Sequence, residues 1–356
     1  MSEYPNDSDT GITAGCWVVS KEGNPADEGI LKWEQRTLPD PAEDQILVKV
    51  VTAALNPIDV KVARGILPFS KTPFITGTDF AGIVVKAGAK RGFIVGQEVY
   101  GMGAGWRIMT WGKENPGGSL SEHMVCKGDS ASLKPSNVSM NEAAALPLVA
   151  VTAQCAATDS SMKSGDRVIV LGASGGVGSA AVQMYKSMGC VVHGVCSGKN
   201  EEFVKGLGAE KIYDYTKGPW ETLVAKEDLG TFDVVVDASP SGGVHNWEVT
   251  KNTEVLKKGG GFCALSGDDQ AGDQKTTFGG MMAQGFKGMW RNMSSNYKFH
   301  NINPMVSTEK LKKITAMVEA GELKPQIDAT FPMAEAKKAF EALNAQRSRG
   351  KIILTN

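Results

Sequence analysis

Between Val168 and Met188 the chain passes from an apolar stretch, Val168-Ile-Val-Leu171, through the turn Gly172-Ala-Ser-Gly-Gly-Val-Gly178, into Ser179-Ala-Ala-Val-Gln-Met-Tyr-Lys-Ser-Met188. That order of buried strand, glycine turn and helical periodicity is the opening half of a βαβ crossover on a parallel sheet. Glycines at 175 and 176 allow the backbone to come close to a pyrophosphate, and glycine at 178 lets the new helix pack tightly on the sheet. Amides of the first helical turn then face the phosphate charge. Ala173 stands where the first glycine of the usual dinucleotide fingerprint would be. The strand before the turn and the helix after it still make Ala173, Ser174, Gly175, Gly176, Val177 and Gly178 a candidate dinucleotide-phosphate turn.

The next strand, Cys190 to Cys196, ends at Ser197-Gly-Lys-Asn200. A site for the free ribose hydroxyls of NAD would normally place Asp or Glu near this point; none precedes Glu201. Ser197 offers a hydroxyl to a phosphate and Lys199 a mobile positive charge. Both favour NADPH over NADH, against the alternative of an ordinary polar turn bearing a surface lysine.

At 356 residues the chain is long enough for two domains and a substantial core. With 42% hydrophobic and 22% charged residues and a formal net charge of -1, its balance is globular, with no basic face for nucleic acid evident. The polar start Ser2 to Thr10 lacks the basic flank and apolar core of a secretory signal, and no apolar run is long enough to cross a bilayer. A cytoplasmic protein without membrane or nucleic-acid partners is expected. Its six cysteines and four histidines are scattered without metal-ligand spacing, so the expected metal content is none.

Short β-like runs dominate the first part of the chain, including Gln45 to Thr52 and Ala81 to Lys86. Residues 101–118 read as a long glycine-rich loop with Trp106, Trp111 and Pro116. Beyond residue 151, strands at Thr231 to Asp237 and Gly261 to Leu265 alternate with helical segments at Glu201 to Leu207 and Trp247 to Leu256. An amphipathic helix is expected over Thr308 to Ala320, another over Ala334 to Leu343, and a closing strand over Gly350 to Leu354. Met281, Met282, Phe286, Met289 and Trp290 suit an adaptable apolar pocket, a dimer contact or plain core equally well.

Asn56-Pro-Ile-Asp-Val-Lys61 with Gly65, Gly77-Thr-Asp-Phe-Ala-Gly82, Gly175-Gly-Val-Gly178 and Gly350-Lys351 occur in an order that resembles the medium-chain dehydrogenase/reductase superfamily, in its zinc-independent quinone oxidoreductase-like branch, over roughly residues 25–356. The resemblance implies an α/β fold with a Rossmann nucleotide-binding domain plus a partly β-barrel catalytic domain. It divides the chain into an N-terminal catalytic part (1–150), a Rossmann domain (151–300) and a C-terminal catalytic part (301–356). It also implies a cleft between the domains and a homodimer. In zinc-dependent relatives the positions of Asn56, Thr78 and Leu148 carry the metal ligands; leucine offers no donor, so a metal-free site is expected.

By the same resemblance, Thr152 lies on the nicotinamide side, with helix capping as its alternative, and Tyr215 near the adenosine phosphate. Ser266 and Gly267 follow a strand end and complete the expected cofactor set. Asn56 and Lys61 are the expected catalytic residues, stabilising a developing enolate or quinol oxyanion, Lys61 directly or through an Asp59–Lys61 network. Asp59 and Asp79 are the expected substrate contacts. All four also have ordinary structural uses as turn formers or ion-pair partners. The expected activity is NADPH-dependent hydride transfer to a small quinone or α,β-unsaturated carbonyl compound. An enoyl-thioester reductase, or a non-catalytic NADPH-binding structural or regulatory protein, is the alternative.

Overall fold

The computed structural model describes residues 11–66, 72–90, 92–103, 117–240, 244–265, 286–293 and 295–356. The chain opens with β-rich segments. Strands β1 (Ile12–Val19), β2 (Leu31–Leu38) and β4 (Phe74–Ile75) form an antiparallel sheet in the order β2-β1-β4. A larger sheet is built on β3 (Gln45–Leu55), with β5 (Asp79–Ala87), β6 (Glu98–Met102), β7 (His123–Lys127) and β8 (Ala131–Leu133). One edge of β3 pairs with β5 along most of its length, while β7 takes Gln45 to Lys49 on the other edge. Helix α1 (Pro57–Ala63) begins where Pro57 supplies a preset φ and leaves no amide to satisfy; Asn56 before it is extended, as a residue preceding proline must be.

Helices α2 (Met140–Ala144) and α3 (Pro147–Asp159) lead into the second half. There β9 (Arg167–Leu171), α4 (Gly176–Ser187), β10 (Val191–Cys196), α5 (Glu201–Gly206), β11 (Lys211–Asp214), β12 (Phe232–Asp237), α6 (Val244–Asn252) and β13 (Leu256–Ala264) follow, then a helix over residues 286–293 (α7) and β14 (Lys298–Asn301). All six strands are parallel, in the order β11-β10-β9-β12-β13-β14. Numbered from β9, this is the 3-2-1-4-5-6 order of a doubly wound sheet, whose switch point lies between β9 and β12. Alternation in β9 and β12 sends Val168, Val170, Val234 and Val236 to one buried face, and Ile169, Leu171 and Val235 to the other.

The chain then returns. Helix α8 (Thr308–Glu319) buries Leu311, Ile314 and Val318, and β15 (Ile327–Pro332), α9 (Ala336–Asn344) and β16 (Lys351–Thr355) rejoin the first half. β16 pairs antiparallel with the end of β3, Ile352 opposite Leu55 and Thr355 opposite Thr52. The larger sheet is thereby completed as β15-β16-β3-β5-β6-β8, with β7 on β3. The fold is α/β, a Rossmann-like nucleotide-binding region with a separate β-rich lobe. Tyr100 fastens β6 to α8 by donating to Leu311 O at 2.7 Å.

Two expected elements differ. The helix expected over Trp247 to Leu256 starts at Val244 and stops at Asn252, because Glu254 takes a left-handed φ of 52° and Leu256 opens β13. Phe286, Met289 and Trp290 lie on α7 and are exposed, so they are not core; Met281 and Met282 fall outside the described residues. Most of the expected glycine-rich loop, residues 104–116, is likewise outside them.

Candidate functional site

The glycine turn sits at the C-terminal end of β9, at the switch point of the sheet. Gly172 leaves the strand with a φ of 71°, a conformation costly for any side chain, and the following residues swing into α4. A Cβ on Gly178 would stand 2.1 Å from Gly172 O, so this position admits no side chain without moving the turn. Gly175 is different: a Cβ there would meet only Gly172 O, at 3.4 Å. The backbone at 175 is thus open on the side where the first amides of α4 emerge, a cradle suited to a pyrophosphate. Ala173 is fully buried and packs inward, leaving Ser174 and Gly175 as the outward part of the turn.

The end of β10 forms the neighbouring corner. Ser197 is buried and Lys199 exposed on the 3-10 turn that follows. An acid does reach this corner, from β11: Asp214 Oδ1 accepts Gly198 N at 2.8 Å, Thr216 N at 3.0 Å and Thr216 Oγ1 at 2.7 Å. The Thr216 hydroxyl bond, with the backbone donors, holds this carboxyl below its ordinary value. Arg349, from the loop before β16, donates to Asn200 Oδ1 at 2.6 Å and to Lys199 O at 3.1 Å, while Asn200 donates to Ser174 Oγ at 2.9 Å. Tyr215 is more than half exposed beside Lys217. Three cationic side chains and an accessible ring therefore surround the end of β10, fitting an anionic nucleotide.

In the β-rich half, Asn56, Asp59, Thr78, Asp79 and Lys351 form a polar cluster in which none is more than 4% exposed. Asp79 accepts Asn56 Nδ2 at 2.9 Å, Lys351 Nζ at 3.1 Å and Leu148 N at 3.0 Å. Lys351 also donates to Leu55 O at 2.8 Å and to Asn56 Oδ1. Asp59 accepts Thr78 Oγ1 at 2.6 Å and Asn56 N at 2.8 Å. Burial outweighs these donors at both carboxyls: Asp79 is raised above its ordinary value, and Asp59 is pushed up to about 7. Lys61 lies one helical turn away on α1, and burial pulls its amine down to about 8.

The structure brings together most, but not all, of the residues singled out by the sequence. Asn56, Asp59 and Asp79 share one cluster, yet the cation that enters it is Lys351 rather than Lys61. Asp59 accepts from Thr78 and from the Asn56 amide, while Lys61 follows two residues later on α1. Thr152 does not cap a helix: α3 begins at Pro147, and the Thr152 hydroxyl donates back to Leu148 O at 2.6 Å. Ser266 and Gly267 fall outside the described residues. Sequence reasoning passed over Arg349 as a neighbour of the nucleotide corner, and over Lys351 as a member of the buried cluster. The only hint was the Arg349-Gly-Lys351 spacing at the last strand, which carries no information about what faces it.

Thr78 is committed to Asp59 and Leu148 contributes only its amide to Asp79, so neither is arranged as a metal ligand. Among the described residues no group of three or more His, Cys, Asp or Glu is placed to hold a metal ion, and no helix is long and apolar enough to cross a membrane.

Residues 42–136 match the family described as alcohol dehydrogenase GroES-like domain, and residues 207–354 the one described as zinc-binding dehydrogenase. The chain is 35% identical over 335 residues to a 2-methylene-furan-3-one reductase of Solanum lycopersicum, covering 91% of this chain and 75% of that one. It is 32% identical over 349 residues to a chloroplastic NADPH-dependent alkenal/one oxidoreductase of Arabidopsis thaliana, covering 95% and 78%. The solved structure of a quinone oxidoreductase from Coxiella burnetii superposes with a TM-score of 0.78 at 25% identity, covering 97% of this chain and all, 100%, of the other. With the six-stranded Rossmann sheet, the GroES-like lobe and the replaced zinc ligands, these likenesses place the chain among the oxidoreductases of the zinc-independent, quinone- and enone-oxidoreductase-like branch of the medium-chain dehydrogenase/reductase superfamily, to which it belongs.

Proposed function

We propose that the protein reduces a small quinone or α,β-unsaturated carbonyl compound with NADPH as the hydride donor. The observation that carries the cofactor preference is the corner at the end of β10, where Arg349 is bonded to the Lys199 carbonyl and Asp214 has its Oδ1 occupied by three donors. A 2′-phosphate would be attracted there, while Asp214 is tied by its Oδ1 to the turn and by its Oδ2 to Lys217 at 3.9 Å. The acceptor class is supported by the names and extent of the relatives above and by a site without Lewis-acid ligands.

NADPH, when bound, supplies the hydride. The protein's own residues have the remaining work. Open backbone at Gly175 and the amides of α4 would hold the phosphates, and Thr152 on α3 would lie on the nicotinamide side. The Asn56–Asp79–Lys351 cluster holds the start of α1 rigid, which positions Lys61. A half-buried amine near pH 8 is matched to giving a proton, or a positive field, to an oxygen that gains charge as the acceptor is reduced.

We propose further that the domains divide near residues 150 and 300 and that the protein is a cytoplasmic homodimer without nucleic-acid partners. β14 supports the dimer, since its outer edge is unpaired among the described residues. The functional test is oxidation of NADPH, with NADH in parallel, against a panel of quinones, enones and enoyl thioesters. Turnover of quinones or enones with NADPH is expected. Turnover confined to enoyl thioesters, or tight NADPH binding with no turnover, overturns the assignment.

A further inference from the structure

We infer that Lys351 is a positioning residue that couples the phosphate turn to the acceptor side of the cleft, an inference that rests on the reductase reading above. Its main chain and stem lie against the turn. Gly350 forms a parallel bridge with Gly175, and Lys351 Cδ stands 3.3 Å from where a Cβ on Gly176 would be. The ammonium lies at the other end, buried, donating to Leu55 O, Asn56 Oδ1 and Asp79 Oδ2. Its three donors meet three protein acceptors, so none is left over for substrate.

That saturation defines the role. Lys351 does not touch the reacting atoms; it orients the Asn56 amide, drawing the oxygen to itself and leaving the nitrogen to Asp79. Asn56 is the residue from which α1 departs, and α1 carries Lys61. A buried ammonium cannot leave its acceptors without a large desolvation cost, so the lysine moves with them or not at all. Phosphate contact at Gly175 and Gly176 therefore reaches the start of α1 through one rigid side chain. A lysine that only neutralised Asp79 would have no such reach.

The two roles separate in the double variant K351M/D79N, which removes cation and carboxylate together and keeps the stem. In the full-length protein, NADPH affinity is measured by fluorescence titration, hydrogen exchange of residues 54–61 is followed with and without NADPH, and kcat is measured on the acceptor that the wild type reduces best. The coupling role expects NADPH to slow exchange of this segment in the wild type. In the double variant that slowing is lost while NADPH affinity stays within about threefold, and kcat falls roughly tenfold or more. Slowing of wild-type size in the double variant, or no slowing in the wild type, overturns the inference. If the double variant does not fold, K351R is read in the same assays; it keeps the charge but replaces three tetrahedral donors by a planar fork, and wild-type slowing there overturns the inference equally. Exchange is read without turnover, so absence of reductase activity sinks the functional assignment and leaves the coupling separately decided.

Discussion

Lys351 on the last strand donates its ammonium to the side-chain oxygen of Asn56, at the start of the first helix, inside a cluster closed to solvent. The bond joins nearly opposite ends of the chain and commits the Asn56 amide to the protein interior. Under the proposed function, Asn56 acts through the shape of the α1 entry, and the acceptor oxygen is assigned to Lys61.

Lys61 yields the first prediction. Burial lowers its amine to about 8, so the protonated, active form is lost as pH rises through that value. Wild-type kcat should fall above about pH 8. K61M should lower kcat on the order of 10²-fold at neutral pH, remove the alkaline fall and leave NADPH affinity unchanged. A K61M profile that keeps both the wild-type rate and the alkaline limb assigns the proton to another group.

Asp59 makes stability depend on pH. Its carboxyl rises from 3.8 to about 7 because burial disfavours the charge. Between these values the folded protein holds a proton that the unfolded chain has released, so stability declines as pH rises from about 4 to about 7. Urea unfolding across this range should show the decline in the wild type and a flatter curve in D59N. Equal slopes would mean that Asp59 is ionised throughout.

The nucleotide corner is tested by K199A and R349A. Each should weaken NADPH binding by about 1–2 kcal/mol and NADH binding far less, with the K199A effect shrinking as salt is raised because this lysine is exposed. Equal losses for both cofactors in isothermal titration would place the 2′-phosphate elsewhere.

Gly178 is held by sterics alone. In G178A the new methyl would lie 2.1 Å from Gly172 O, so the turn must move; a stability loss of about 1–3 kcal/mol and a larger loss of NADPH affinity are expected. G175A, where the methyl meets only one atom at 3.4 Å, should fold with wild-type stability. Similar denaturation midpoints for wild type and G178A would contradict the close packing.

Metal content follows from the commitment of Thr78 and the lack of a donor at Leu148. Protein purified without added metal should contain substoichiometric zinc by elemental analysis, and a chelator should leave turnover intact. Stoichiometric zinc whose removal abolishes turnover would refute the metal-free mechanism.

Local sequence was sufficient for the opening crossover of the Rossmann half. Strand, glycine turn and helix at 168–188 are read from short-range periodicity, and the structure shows the same elements with Gly178 closing on Gly172. The amphipathic α8 and the closing β16 were legible for the same reason, since the face that a helix or strand buries is written at fixed spacing. The end of α6 differs because the exposed Glu254 takes a left-handed φ, a conformation that its residue type does not signal.

The partners within the site lay outside what local pattern determines. Nothing near Asn56 or Asp79 indicates that the buried cation is Lys351 rather than Lys61, and nothing near Lys199 indicates Arg349. Those pairings exist because β16 returns to the edge of β3 and brings the loop before it against the glycine turn. The sequence by itself determined the nucleotide fold, the absence of zinc ligands at the three family positions and the chemistry available. Only the tertiary structure decided which charges are buried together, because the cost of burying a charge is met by whichever partner the returning chain delivers, however distant in sequence.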